Sequence, residues 1–188
     1  MARPKSENKR NAILEAATRV IDKYGLGAST AHIAKEAGIA NGSLFTYFET
    51  KDELFNQLYL SLKTDMATAA MDQLPTDVPL QEQLFHTWKN WMNWAIASPE
   101  KQRVLAKLFF YDDIRPEILE ACHQVMAGIS CLLENYRERG SMRNVSKMFV
   151  VSIVNALAET TMNFMIQEPE NAQEHCKVGF DVILRMLS

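Results

Sequence analysis

Little in this chain of 188 residues marks it for export, cross-linking or a membrane. It has three cysteines, Cys122, Cys131 and Cys176, an odd number without CxxC or metal-ligand spacing. This argues against a disulfide framework and suggests buried packing residues in a reducing compartment. No uninterrupted apolar run approaches the roughly 18 residues of a membrane span. The charged opening Met1-Ala2-Arg3-Pro4-Lys5-Ser6-Glu7-Asn8-Lys9-Arg10 leads into no apolar stretch, so no export signal is read and the cytoplasm is the expected compartment. Strand-like alternation is missing throughout, and the seven glycines and six prolines punctuate the chain without pervading it. With 47% apolar and 23% charged residues the chain is too apolar for disorder. It is long enough for one core, or for a module of about 50 residues fused to a larger one.

Charge is divided unevenly. The formal net charge is −3, yet residues 1–51 carry +3 and the remainder −6. A positive head on an acidic body suits a molecule that presents one end to a polyanion, because charges farther away than a Debye length of about 10 Å are screened. Ordinary charge scatter is the other reading.

Apolar residues recur three and four positions apart between the Gly and Pro punctuation, so the chain reads as all-α. A first helix is expected from a Ser6 N-cap to Tyr24, burying Ile13, Ala17, Val20, Ile21 and Tyr24 and stopped by Gly25. Ser29 caps a short helix, Thr30 to Ala37, that ends at Gly38. Two helical turns follow up to Phe48, with Leu44 and Phe48 inward. Thr50-Lys51-Asp52-Glu53 reads as a reciprocal capping box opening a long helix to about residue 72, with Leu54, Phe55, Leu58, Leu62 and Met66 as its apolar stripe. Prolines 75 and 79 place a linker at 73–79. Breaks near Ser98-Pro99, Pro116, Gly140 and Pro169 leave five further helices, about nine in all. The domain reading is 1–50 and 51–188, joined by the helix 51–72. Residues 145–166 are apolar on more than one face, which calls for partners on two sides.

Three short helices followed by a long one, with a glycine turn between the second and third, is a helix-turn-helix whose third helix enters a major groove. Small and polar residues suit that entry, and Ala40, Asn41, Gly42, Ser43 and Thr46 supply them. Asn41 has the two-pronged amide that reads a base edge, while Tyr47 and Lys51 suit flanking phosphates. The stretch Ile33 to Leu54, IAKEAGIANGSLFTYFETKDEL, resembles the TetR-family DNA-binding signature, with the spacing intact over residues 9–55. Met1–Ser6 and Leu157-Ala158-Glu159-Thr160-Thr161-Met162 resemble enterobacterial multidrug-efflux regulators of that family.

The resemblance implies a DNA surface of Ser29, Thr30, Ala40, Asn41, Gly42, Ser43, Thr46, Tyr47 and Lys51. It also implies a homodimer through the last two helices (about 145–187) on a palindromic operator, and release by a ligand that favours a different spacing of the two heads. Asn41 stands where the family often has Lys or Arg, and Phe45 where it often has Tyr. Arg3, Lys5, Lys9 and Arg10 are a candidate flexible arm on the DNA backbone, or solvated tail charges.

The candidate sensor residues are Phe85, Trp88, Trp91 and Met92 on one Trp-rich helix, the pair Tyr59 and Lys63 one turn apart on the connecting helix, and a second wall of Phe109, Phe110 and Tyr111. Core packing is the alternative for the aromatics, and a solvated face for Lys63. Together they suggest a small apolar or amphipathic effector, with Tyr59 and Lys63 orienting an anionic or hydroxylated end. Glu159 either lines the pocket or bonds across a dimer seam. No nucleophile motif, HExxH or Glu-x-x-His pair marks an enzyme, and no cofactor is expected. Cys122-His123 and His175-Cys176 leave a metal-responsive sensor as one alternative, and a helical adaptor as the other.

Overall fold

The computed structural model describes residues 3–188, with side chains from residue 7. Ten α-helices and no strand are found among the described residues: α1 (Arg3–Tyr24), α2 (Thr30–Glu36), α3 (Asn41–Leu44), α4 (Lys51–Met71), α5 (Leu80–Ala97), α6 (Pro99–Phe109), α7 (Pro116–Val125), α8 (Ala127–Arg137), α9 (Lys147–Gln167) and α10 (Ala172–Leu187). The tenth helix arises because the stretch after Pro116, expected as one helix, breaks at Met126. No Pro or Gly precedes that break. Two short 3-10 turns, Ser141–Asn144 and Pro169–Asn171, flank α9.

Two compact units form. The first gathers Met1–Thr64 with Ser98–Gln124, and the second Asp65–Ala97 with Val125–Ser188. The unit boundary therefore falls within α4, and compactness assigns α6 and most of α7 to the helix-turn-helix unit.

In the first unit the apolar positions read from the sequence do close a core: Ile13, Ala17, Val20, Ile21, Ile33, Ala34, Leu44, Phe48, Leu54, Phe55, Leu58 and Leu62 are all buried. Burying a side chain the size of Phe48 or Leu54 stabilises the fold by about 2 kcal/mol. Tyr24 departs from its expected place. As the last residue of α1 it is 57% exposed, with its ring beside His32 and under the Lys23 ammonium. Ser6 lies inside α1 and so does not cap it, since the helix already begins at Arg3.

The second unit is built on α5, which packs against α8, α9 and α10. Trp88 is buried here, and its indole N–H donates to the Cys176 carbonyl at 2.9 Å. Gly179 of α10 lets this junction close, because a Cβ there would stand 2.4 Å from Thr161 Oγ1 and 3.1 Å from Trp88 Cζ2. Arg137, also buried, donates to the carbonyls of Met142, Arg143 and Val145 and pairs with Glu134, fixing the turn before α9. Of the cysteines, Cys122 and Cys176 are buried as expected, while Cys131 is exposed at the surface of α8.

Candidate nucleic-acid interface and effector site

The turn that presents α3 is set by backbone chemistry. Gly38 adopts φ +69°, and the amides of Ala37, Gly38 and Ile39 donate to the carbonyls of Ile33, Lys35 and Ala34 as α2 ends. Ser29 caps α2 by accepting from the His32 amide at 3.3 Å. The third helix is shorter than the two turns expected. Regular α geometry covers only Asn41–Leu44, and turns carry the chain to Phe48 through Thr46 and Tyr47 amides donating to Ser43 and Leu44. Thr46 Oγ1 also donates to the Ser43 carbonyl at 2.8 Å, and such local bonding competes with continued helix.

Leu44 and Phe48 hold this segment to the core, while Ala40, Asn41, Gly42, Ser43 and Thr46 are exposed and Tyr47 is half-buried. Ser29 is exposed and Thr30 half-buried at the start of α2. Nothing lies within 4 Å of where a Gly42 Cβ would be, and its φ is not positive, so neither packing nor backbone conformation within the chain requires glycine there. A glycine inside a helix costs about 1 kcal/mol relative to alanine.

Lys51 is more occupied than the sequence suggested. Its ammonium donates to the Leu26 carbonyl at 2.8 Å and lies 5.1 Å from the Phe55 ring centroid, which leaves the remaining N–H donors for another acceptor. Thr50 Oγ1 accepts from the Glu53 amide at 3.0 Å, but the reciprocal half of the expected box is not made. Glu53 pairs with Arg115 instead. Arg10 is not part of a flexible arm: it lies within α1, donates to Gln57 Oε1 and sits 5.2 Å above the Phe48 ring. Lys9 is exposed on the same helix, while the side chains of Arg3 and Lys5 lie outside the described residues.

Sequence reasoning missed how α6 and the segment after it grip this unit. Arg103 makes two bonds of 2.7 Å to the Asp22 carboxylate, and Lys107 donates to the Ile21 and Asp22 carbonyls at 3.2 and 2.9 Å, closing the end of α1. The Arg103 guanidinium holds the Asp22 carboxyl below its ordinary pKa. Asn56 is fully buried on α4. Its amide donates to the Asp52 and Asp113 carbonyls and accepts from the Arg115 amide at 2.8 Å. Tyr111 donates to Asp52 at 2.5 Å, and burial followed by that bond pushes its phenol pKa up. Apart from the Asn56–Asp52 bond within α4, these pairs are 57 to 86 residues apart in sequence, and charged side chains on a helix read equally well as solvated faces.

The expected sensor residues divide between the units. In the second, Trp88 and Met92 are core residues, Phe85 packs against Phe180 with ring centroids 5.0 Å apart, and Trp88 meets Trp91 edge to face at 5.9 Å. Trp91 keeps a buried indole N–H without a hydrogen-bond partner. An open groove of about 440 Å³ elsewhere on this unit, lined by Asp65, Asp72, Asn90, Asn93 and Trp94, contains none of these residues. In the first unit Tyr59 is buried and Lys63 is half-buried. Phe109 and Phe110 do not form a wall. They are 48% and 79% exposed where α6 ends, and Tyr111 beside them is committed to Asp52 and Phe55. Glu159 is exposed on α9, so it does not line a pocket within the chain. Among the described residues no three His, Cys, Asp or Glu side chains are grouped to hold a metal, and His175 is engaged with Glu168 at 2.8 Å.

Residues 13–58 match the family model for bacterial regulatory proteins of the tetR family. The HTH-type transcriptional regulator PksA of Bacillus subtilis is 43% identical over 81 residues, covering 40% of each chain. An HTH-type transcriptional regulator of Haemophilus influenzae is 32% identical over 115 residues, covering 60% of this chain and 59% of its own. The matches thus span less than two thirds of either relative. A crystal structure of a tetR family transcription regulator from Shewanella sp. PV-4 superposes with a TM-score of 0.84 at 25% identity, over 95% of this chain and 97% of that one. Residues 13–58 thus carry the helix-turn-helix signature of bacterial regulatory proteins of the tetR family, and the chain as a whole has the all-helical fold of a tetR family transcription regulator.

Proposed function

We propose that the chain is a cytoplasmic transcription regulator that binds duplex DNA as a homodimer and leaves its operator when a small amphipathic molecule binds. The observation that carries this reading is Gly42: a glycine kept within a helix, exposed, and required by nothing inside the molecule. Its smallness serves an outside surface that must come close, and a DNA backbone beside an inserted helix end is such a surface. Asn41 is placed to read a base edge, Ser43 and Thr46 flank it, and Ser29, Thr30, Tyr47 and the free donors of Lys51 face phosphates.

The dimer reading rests on α9 and α10. Met148, Phe149, Phe164 and Ile166 on α9, with Val178 and Val182 on α10, are 40% to 67% exposed, which is unusual for so many large apolar groups on adjacent helices. By length and composition α9 also qualifies as a membrane span, but Glu159 places a carboxylate on its exposed side. A two-fold related copy covers such a face and gives Glu159 polar partners across the seam.

Release requires only that the effector prefer a conformation unsuited to DNA. Because α6 is clasped to α1 within one compact unit, an effector that moves α6 moves the helix-turn-helix with it. The test is a gel shift with DNA from upstream of the chain's own coding sequence, at several salt concentrations, combined with light scattering. Dimers whose affinity falls steeply with salt are expected. A monomer that binds no duplex at low salt refutes the reading.

A further inference from the structure

Tyr59 and Lys63 are neighbours one turn apart on α4, with the amine 5.8 Å from the phenol ring centroid. Tyr59 is 5% exposed, Lys63 is half-buried, and the third member of the cluster, the Cys122 thiol of α7, belongs to a residue that is also 5% exposed. The other buried residues of α4, α6 and α7 in this unit, among them Leu58, Leu62, Val104, Leu108 and Ile118, are mostly apolar. Among the described residues neither the Lys63 amine nor the Tyr59 hydroxyl has a hydrogen-bond or ion-pair partner, and neither polar atom is wholly shut off from solvent, so both donors stay open to a ligand. Buried ammonium groups are normally paired, and buried phenols normally bonded.

The protonation chemistry of the cluster has one sign. Burial lowers the Lys63 pKa, pushes the Tyr59 phenol up to about 12, and raises the Cys122 thiol. At neutral pH the phenol and thiol are therefore protonated, and the lysine, whenever charged, lacks an anion. An ammonium offers three donors and no acceptor, and the phenol O–H is a fourth donor. Such a set receives an anion and repels a cation. A carboxylate placed there supplies the missing counter-charge and accepts from both groups, while its hydrocarbon part meets the apolar side chains of the same helices.

We propose that Lys63 and Tyr59 form a headgroup site and that the effector of this regulator is an amphiphilic carboxylate, not a cationic or neutral drug. This rests on the reading of the chain as an effector-released regulator, and it names the class of effector. Cys122 bounds the site as a neutral thiol.

The experiment uses the purified full chain without DNA. Binding is measured by calorimetry for decanoate, palmitate and deoxycholate, and for methyl decanoate and decyltrimethylammonium as neutral and cationic controls. At least one carboxylate is expected to bind about tenfold or more tightly than either control. Lys63→Met is expected to weaken that carboxylate by about 10- to 100-fold while changing methyl decanoate by less than about threefold. Tyr59→Phe is expected to cause a smaller loss of the same kind. Because Lys63→Met removes a half-buried charge that has no anionic partner within the chain, the melting temperature of the ligand-free chain is expected to hold or rise, which a purely structural lysine would not give. Should Lys63→Met fail to fold, Lys63→Gln is read in its place. The proposal is overturned if no carboxylate binds, if the cation binds better, or if the lysine variant binds carboxylate as the wild type does. A chain that binds carboxylate but no DNA overturns the regulator reading alone, and one that binds DNA but no carboxylate overturns this proposal alone.

Discussion

Arg103 of α6 holds Asp22 of α1 by two hydrogen bonds of 2.7 Å, joining the end of the first helix to a helix 81 residues later. About half of the Arg103 side chain remains in solvent, so screening limits the pair to less than about 1 kcal/mol. Its pH dependence has a definite sign. The Asp22 pKa is depressed in the folded state, so the pair contributes fully above the ordinary carboxylate range and is lost as pH falls through the depressed value. Urea melts between pH 6 and pH 3 are expected to show a smaller acid loss for Asp22→Asn than for wild type. Equal losses would show that the pair contributes nothing.

Asn56 presents a sharper case, being fully buried with all of its bonds to backbone groups. Asn56→Ala leaves the Asp113 carbonyl and the Arg115 amide unsatisfied, and a loss of about 2 to 4 kcal/mol is expected. Chemical denaturation measures it. A loss below about 0.5 kcal/mol would mean that water replaces the amide without cost.

Gly179→Ala is expected to destabilise the second unit by about 1 to 3 kcal/mol, since the new methyl meets Thr161 and Trp88. The Thr161 hydroxyl is the closest obstacle, so adding Thr161→Ala restores part of that loss. Strict additivity of the two changes would disprove this account of the contact.

On DNA the phenol and the amide separate. Tyr47→Ala is expected to weaken binding to every duplex alike, whereas Asn41→Ala shifts base preference more than overall affinity, by about 1 to 3 kcal/mol at the base it reads. Binding to a randomised operator library distinguishes them. Matching losses on all sequences for both variants would remove Asn41 from base reading.

Much of this was legible in the residues themselves. Gly25 and Gly38 marked helix ends because only a residue without a Cβ takes positive φ easily, and both do so. Leu44 and Phe48 announced their burial by spacing, and Ser29 its cap by type. The break at Met126 was not legible, because Val125-Met126-Ala127 carries no residue that disfavours helix. Tyr24 looked inward by periodicity, but at a helix terminus the period no longer has a partner surface to meet. Among the sensor candidates, aromatic type alone did not separate Trp88, whose N–H is spent on a backbone carbonyl, from Trp91, whose N–H is not. Lys107 on the α1 carbonyls and Arg115 on Glu53 were hidden for another reason: a charged side chain reveals its partner only when the fold brings the two ends of the chain together.

The placement of α6 and α7 bears on how this regulator can be rebuilt. A chimera that transplants only the N-terminal fifty residues onto a relative's body would leave behind the lysine that closes the first helix and the loop that saturates Asn56. Such a graft inherits the helix-turn-helix without its fastening, so a hybrid should carry residues 98–124 along with the first fifty residues if that compact unit is to close.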